Sequence, residues 1–341
     1  MSRRPAADRL VRHSETRIVV IDELRIAFLP IPKSGCTSLL WTLADLAGLA
    51  PERFGSSRQA EVTPQMAIHD MTRWEPRHRW QERSAAQRHR ILSDPGWLRL
   101  SVVRDPAPRL WSGWQSKLLL AEPRFVDRFG SEPWFPDRVD TPEALRTSFH
   151  AFVRALDVDP ELAPHDAHWG PQTGLMAGFD PTWVGRAEDP GRTLQVLRDH
   201  VAGVGADPGR VRSDVPRENA NPIPYHPTIW DPETALAVAR IFASDYAAWD
   251  YVPPQGATAA DPSLSEEQCQ ALAADRLGAV AMLAERHRRI GELLAVGADL
   301  ERAAAHQRRR AEEAESELAT VTGSRSWRAT EPLRRLRARS R

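Results

Sequence analysis

The chain is poor in cysteine: two in 341 residues, Cys36 and Cys269, far apart in sequence. That excludes a disulfide framework and fits a reducing compartment. No apolar run approaches the ~20 residues needed to cross a bilayer. The opening MSRRPAADRLVRHSETR lacks the apolar core of a secretion signal. The expected location is therefore cytoplasmic. Net charge is missing as well, since 46 acidic residues balance 46 basic ones. No overall field draws the chain to nucleic acid, and none is expected as a partner. Lysine is scarcer still: Lys33 and Lys117 stand against 44 arginines. A bias that strong replaces lysine wherever arginine is tolerated. The two survivors thus mark places suited to a compact ammonium rather than a planar fork.

Apolar residues make up 41% of the chain, enough for one large domain with an accessory segment. Residues 1–14 are polar and are expected to be mobile. RIVVI and LRIAFL, split by Asp22 and Glu23, predict two short strands joined by a tight turn. After the turn-rich PIPKSGC, Leu39, Leu40, Leu43, Leu46 and Leu49 recur at helical spacing. Residues 50–96 read as irregular. LRLSVV (Leu98–Val103) predicts a buried strand that stops at Arg104-Asp105-Pro106 and leads into a helix through about Leu120. Further helices are predicted around Pro142–Leu156, Pro190–Val201 and Pro232–Trp249, with a short strand at Thr182–Gly185. This alternation indicates an α/β domain with a mainly parallel sheet over residues 15–253.

Residues 254–263 read as a linker. From 264 to 322 the chain is proline-free, and Leu283, Ile290, Leu293, Leu300, Leu318 and Val321 fit one heptad register. Gly297, Ala304, Gln307, Ala311 and Ala314 fill the same stripe, which predicts a long helix forming a weak coiled coil, and so a weak homodimer. Residues 323–341 form a basic tail, with seven arginines against Glu331. With Trp327, Leu333 and Leu336 it suits either solvent or peripheral contact with an anionic membrane.

Two segments carry chemistry. Pro32-Lys33-Ser34-Gly35-Cys36-Thr37-Ser38 lies between a predicted strand and a helix N-terminus, where unpaired N–H groups favour an anion. Gly35 permits close approach, Thr37 and Ser38 offer hydroxyls, and Lys33 adds charge. The alternative is an ordinary turn capped by Thr37 or Ser38. The loop is not of Walker type, because Lys33 precedes Gly35 by two residues rather than following a glycine, and no G-x-G-x-x-G occurs. The second segment, RDPAPRLWSGW from Arg104 to Trp114, aims Arg104 at the carboxyl edge of the sheet and sets Ser112 eight residues on. Arg and Ser at that spacing suit one phosphate; the alternative is a structural Arg104–Asp105 pair.

Together the segments describe a nucleotide phosphorylated at two positions, and the chain resembles the sulfotransferases that use 3′-phosphoadenosine 5′-phosphosulfate. PKSGCTS looks like their 5′-phosphosulfate loop, and RDPAPRLWSGW looks like their 3′-phosphate motif. The closer similarity is to carbohydrate sulfotransferases of Golgi type. Their His-Trp-x-Pro-Gln stretch is matched by His168–Gln172, their Gly-Arg-x-Glu by Gly185–Glu188, and their closing segments by Glu218–Pro222 and Asp245–Tyr251. The resemblance covers about Arg17–Val252 and implies a P-loop-like sheet. It also implies sulfuryl transfer to a carbohydrate or glycosylated acceptor, a role for Lys33 at the leaving oxygen, and no need for a metal. The membrane anchor and disulfides of the animal members have no counterpart here.

A base must take the acceptor's proton, and histidine suits neutral pH. Of eleven histidines, His69 is the first candidate, lying between the two motifs beside Asp70, and His168 is the second. Trp111, Trp114 and Trp169 adjoin the motifs and are candidates for stacking on a sugar. Two other readings stand beside this one. A degenerate P-loop kinase or NTPase would need a Walker lysine and an acidic Mg²⁺ ligand. A non-catalytic coiled-coil scaffold would not need Lys33, Arg104 and Ser112.

Overall fold

The computed structural model describes residues 6–54, 64–136, 139, 141–213, 223–256, 266–332 and 334. The chain divides into two compact units, Met1–Leu283 and Ala284–Arg341.

The first unit opens with helix α1 (Ala6–Glu15), inside the segment expected to be mobile. Leu10 accounts for the difference: it is buried, with its methyl groups against Gly170 and Gly174. Strands β1 (Val19–Ile21) and β2 (Ile26–Leu29) form the predicted antiparallel pair. Arg25 closes the turn between them in the left-handed region, at φ 50°. Helix α2 (Cys36–Leu46) follows. The region read as irregular contains helix α3 (Ala85–Ser93), which is fixed by a capping box between Ser84 and Gln87.

Strand β3 (Leu98–Val103) leads into α4 (Pro106–Trp114), and a π-helical turn, Gln115–Leu119, ends that helix. Then come α5 (Pro123–Phe129), α6 (Pro142–Val158), α7 (Gln172–Met176), β4 (Trp183–Arg186) and α8 (Pro190–Gly203). The single helix predicted over Pro232–Trp249 is two, α9 (Pro232–Ile241) and α10 (Ala243–Trp249). They are broken at Phe242, whose side chain is fully buried.

The sheet runs in sequence order, β1-β2-β3-β4, with β2, β3 and β4 parallel. Alternate side chains divide its two faces. Ile26 and Phe28 join α2 and α8 in one core, while Ala27 and Leu29 join Leu10, Trp80 and Trp97 in another. A third core of helices gathers Trp111, Trp114, Phe149, Trp169 and Trp230. The three tryptophans considered for sugar stacking are at most 2% exposed, so they pack the interior and meet no ligand.

In the second unit, side chains are described from Ala295 of α11 (Glu266–Gly323), the predicted long helix. Leu300, Leu318 and Val321 are more than half exposed. A short helix, α12 (Arg325–Ala329), begins the basic tail. The segment Glu218–Pro222 and most of the expected linker lie outside the described residues. Among the described residues no helix is long and apolar enough to cross a membrane.

Candidate active site

Parallel β2, β3 and β4 all end on one edge of the sheet, and the loops leaving them build the site. After β2, Lys33 at φ 69° and Gly35 at φ 77° are both left-handed. For lysine that conformation costs about 1–3 kcal/mol, the kind of strain held at ligand-binding loops. Gly35 is the N-cap of α2 and supplies no side-chain cap. The capped turn that was the alternative reading is thus not formed at the cap position. The first-turn N–H groups of α2 and the positive end of its dipole therefore stand where the loop enters the helix. Burial, then the charge of Lys117, lowers the Lys33 ammonium to about 8. Burial raises the Cys36 thiol, which makes it a packing residue rather than a nucleophile.

The segment after β3 meets this loop directly. Arg104 Nη1 donates to the Lys33 carbonyl at 3.3 Å. Asp105 caps α4 by accepting from Ala107 N at 3.0 Å, so its carboxylate is spent on the helix. Ser112 is buried within α4. The two segments expected to hold one nucleotide are therefore neighbours in space.

Residues outside the predicted site set fix that meeting. Gln172 is fully buried. Its Oε1 accepts from Ser34 Oγ at 3.2 Å and from Arg104 N at 3.0 Å, and its Nε2 donates to the Arg104 carbonyl at 2.8 Å. Asp245 of α10, also fully buried, accepts from Gln172 N at 2.8 Å and from Thr173 N and Oγ1 at 2.9 Å each. Arg109 is buried with a full set of carbonyl acceptors: Pro32 at 3.0 Å, Gly170 at 2.8 Å and Ala167 at 2.7 Å. Glu188 after β4 accepts from Asp105 N at 3.0 Å and from the Tyr251 hydroxyl at 2.9 Å. Gln172, Glu188 and Asp245 all fall in the supporting motifs, yet a motif by itself does not say that a side chain ties two phosphate loops together.

The two histidines are held differently. His69 ends a short 3₁₀ turn packed on α2, and its Nε2 lies 3.0 Å from Thr37 Oγ1 in the nucleotide loop. Arg17 Nη1 donates to the His69 carbonyl at 2.8 Å. Asp70 accepts from Thr72 N and Oγ1 and so caps the next turn. Burial, then Arg17, Lys117 and Lys33, lowers the His69 imidazole to about 3. His168 Nδ1 lies 2.6 Å from Asp166 Oδ1, the arrangement that fixes a tautomer. Burial and Lys117 bring His168 to about 3, against the upward pull of Asp166. Burial alone would raise the Asp166 carboxyl, but its bonds to His168 hold it below the usual range. Burial and the neighbouring cations thus hold both imidazoles neutral, as weaker bases than a free histidine. Helix α4 presses on this loop: a methyl on Gly113 would sit 2.7 Å from the His168 carbonyl oxygen.

Arg104 thus meets the Lys33 loop and His69 meets Thr37 of the same loop, while His168 packs against α4, the helix that carries Ser112. Among the described residues no cluster of ligands suited to a metal occurs. No curated protein and no solved structure matches the chain. The profile of the sulfotransferase family matches residues 16–251, from just before β1 to just past α10, and takes in every residue named in this site. The chain belongs to the sulfotransferase family.

Proposed function

We propose that this sulfotransferase takes its sulfuryl group from 3′-phosphoadenosine 5′-phosphosulfate and delivers it in line to a hydroxyl of a carbohydrate or glycosylated acceptor. The observation that carries the donor reading is the direct meeting of the Lys33 loop with Arg104, both held by Gln172. In this reading the α2 N-terminus, Thr37 and Ser38 hold the 5′ end, and Arg104 with Ser112 holds the 3′-phosphate. Lys33 stabilises charge on the oxygen leaving with the 5′-phosphate. His69 takes the acceptor's proton, because its bond to Thr37 sets it against the loop that carries the reacting group. His168, oriented by Asp166, is the second candidate. The carbohydrate class rests on the motif resemblance, and the order of the motifs along the chain supports it.

Outside the site, the exposed stripe of α11 suits a weak homodimer. The charge of the tail suits peripheral contact with anionic lipid, and the enzyme's place is then the cytoplasmic side of a membrane or the cytoplasm itself.

The donor reading is tested by thermal shift with two nucleotides. Adenosine 3′,5′-bisphosphate at 100 times its Kd adds about 2.7 kcal/mol, whereas ADP, which has no 3′-phosphate, shifts the protein far less. Equal shifts would remove the Arg104–Ser112 clamp.

A further inference from the structure

We propose that Lys117 is a second cationic catalytic residue of the transfer site, held on Glu122 until a sulfuryl oxygen of the donor draws it across. The inference rests on the donor reading above.

Lys117 is one of two lysines in the chain, and no role assigned so far uses it. It lies five residues past Ser112, in the π-helical turn Gln115–Leu119 that ends α4. Such turns change which side chains face a site, and they recur at functional positions. This one is pinned by buried Gln115, which donates to the Ile223 carbonyl at 2.9 Å and accepts from Ile223 N at 3.0 Å. The turn is therefore a fixed feature of the fold and not a frayed end.

The ammonium is only 14% exposed and pairs with Glu122, itself 18% exposed. Its Nζ lies 5.7 Å from the centroid of the Phe125 ring, and the His168 ring packs against the same ring at 5.8 Å. Cation and imidazole thus share one buried aromatic ring. A shielded ion pair gains little net stability over apolar side chains of similar size, so stability alone gives weak reason for a lysine here.

Charge explains it better. Lys117 is the foremost ionic influence on both Lys33 and His168, and it also acts on His69. By geometry the ammonium shares the Phe125 ring with His168, and its charge is felt at Lys33 and His69. Two ammonium groups that repel one another, with Glu122 as the nearby carboxylate, make a place whose charge fits an incoming anion. Arg124, 3.6 Å from Glu122, competes for that carboxylate and eases the release of Lys117. In the transfer, the acceptor oxygen forms a bond to sulfur as the bond from sulfur to the 5′-phosphate oxygen breaks. The acceptor proton passes to the histidine, and the electron pair leaves on the phosphate. Lys33 serves the leaving oxygen, while Lys117 binds a non-bridging sulfuryl oxygen and orients it for attack.

The test compares two ligands that differ by the sulfuryl group alone. The full chain, Lys117→Met and Glu122→Gln are titrated with the donor and with adenosine 3′,5′-bisphosphate. Loss of a charge-assisted bond weakens donor binding to Lys117→Met by about 10- to 100-fold, while bisphosphate affinity stays within about 2-fold and also reports an intact fold. Glu122→Gln releases the ammonium and tightens donor binding, again with the bisphosphate unchanged; a residue that merely packs would not give shifts of opposite sign. Equal losses for both ligands, or no loss for either, overturn the role of Lys117. A wild-type chain that binds neither nucleotide overturns the donor reading itself, and this inference with it.

Discussion

At the scale of single residues, the chemistry turns on groups that burial has moved away from their ordinary protonation. Lys33, lowered to about 8, loses its proton as pH rises through that value, and with it the charge proposed to serve the leaving oxygen. The expected kcat/KM profile therefore declines about tenfold per pH unit above ~8. Bound donor, being anionic, favours the ammonium and moves the decline in kcat to higher pH. Lys33→Arg should lower turnover and abolish that limb, since a guanidinium does not titrate there; an unchanged limb would show that another group causes it. His69→Ala is expected to lower turnover by roughly 10²–10⁴-fold with bisphosphate affinity retained. A larger loss in His168→Ala than in His69→Ala would exchange the two roles. Sequence reading singled out Lys33, Arg104, Ser112 and both histidines by residue type and spacing, which are local in the chain. It noted Asp70 beside His69 in sequence, whereas the carboxylate bonded to a candidate imidazole is Asp166, two residues before His168. Adjacent side chains in a tight turn point apart, which spacing does not report.

At the scale of elements, the parts of the fold most legible in the sequence were those with strong local signals. The strand Leu98–Val103 matches its apolar run, and α2 its leucine spacing. Helix α3 was hidden by its polar surface, although Ser84 and Gln87 carry a capping-box pattern. Helix α1 looked like a loose end because only contact with Gly170 and Gly174 reveals what Leu10 covers. The hub at Gln172 was illegible for the same reason: its partners Ser34, Arg104 and Asp245 lie 138, 68 and 73 residues away. That hub makes a direct prediction. Gln172→Ala leaves Ser34 and the Arg104 backbone short of partners and should cost about 2–3 kcal/mol. For a domain of this size that is a fall of roughly 5–10 °C in Tm. Nucleotide affinity should fall with it, measured by calorimetry below the melting transition. Unchanged affinity would mean that the two phosphate loops keep their positions independently.

At the scale of the whole molecule, every group assigned to the site lies in the first unit, while the exposed stripe of α11 lies in the second. A chain ending after Gly256 is expected to bind adenosine 3′,5′-bisphosphate as the full chain does and to sediment as a monomer. The full chain should associate in the micromolar range, since Gly297 and the alanines leave little apolar area to bury. Identical monomers would dispose of the pairing. The order of the sheet carries a further consequence, for synthesis. Its four strands are laid down in the sequence in the order in which they lie side by side, so a nascent chain can add each strand to the edge of the one before. The lock on Gln172 arrives only with Asp245, late in the domain. Until that residue is made, both phosphate loops stand without the carboxylate that fixes Gln172, so the loops that meet at the site are the last part of the domain to be secured.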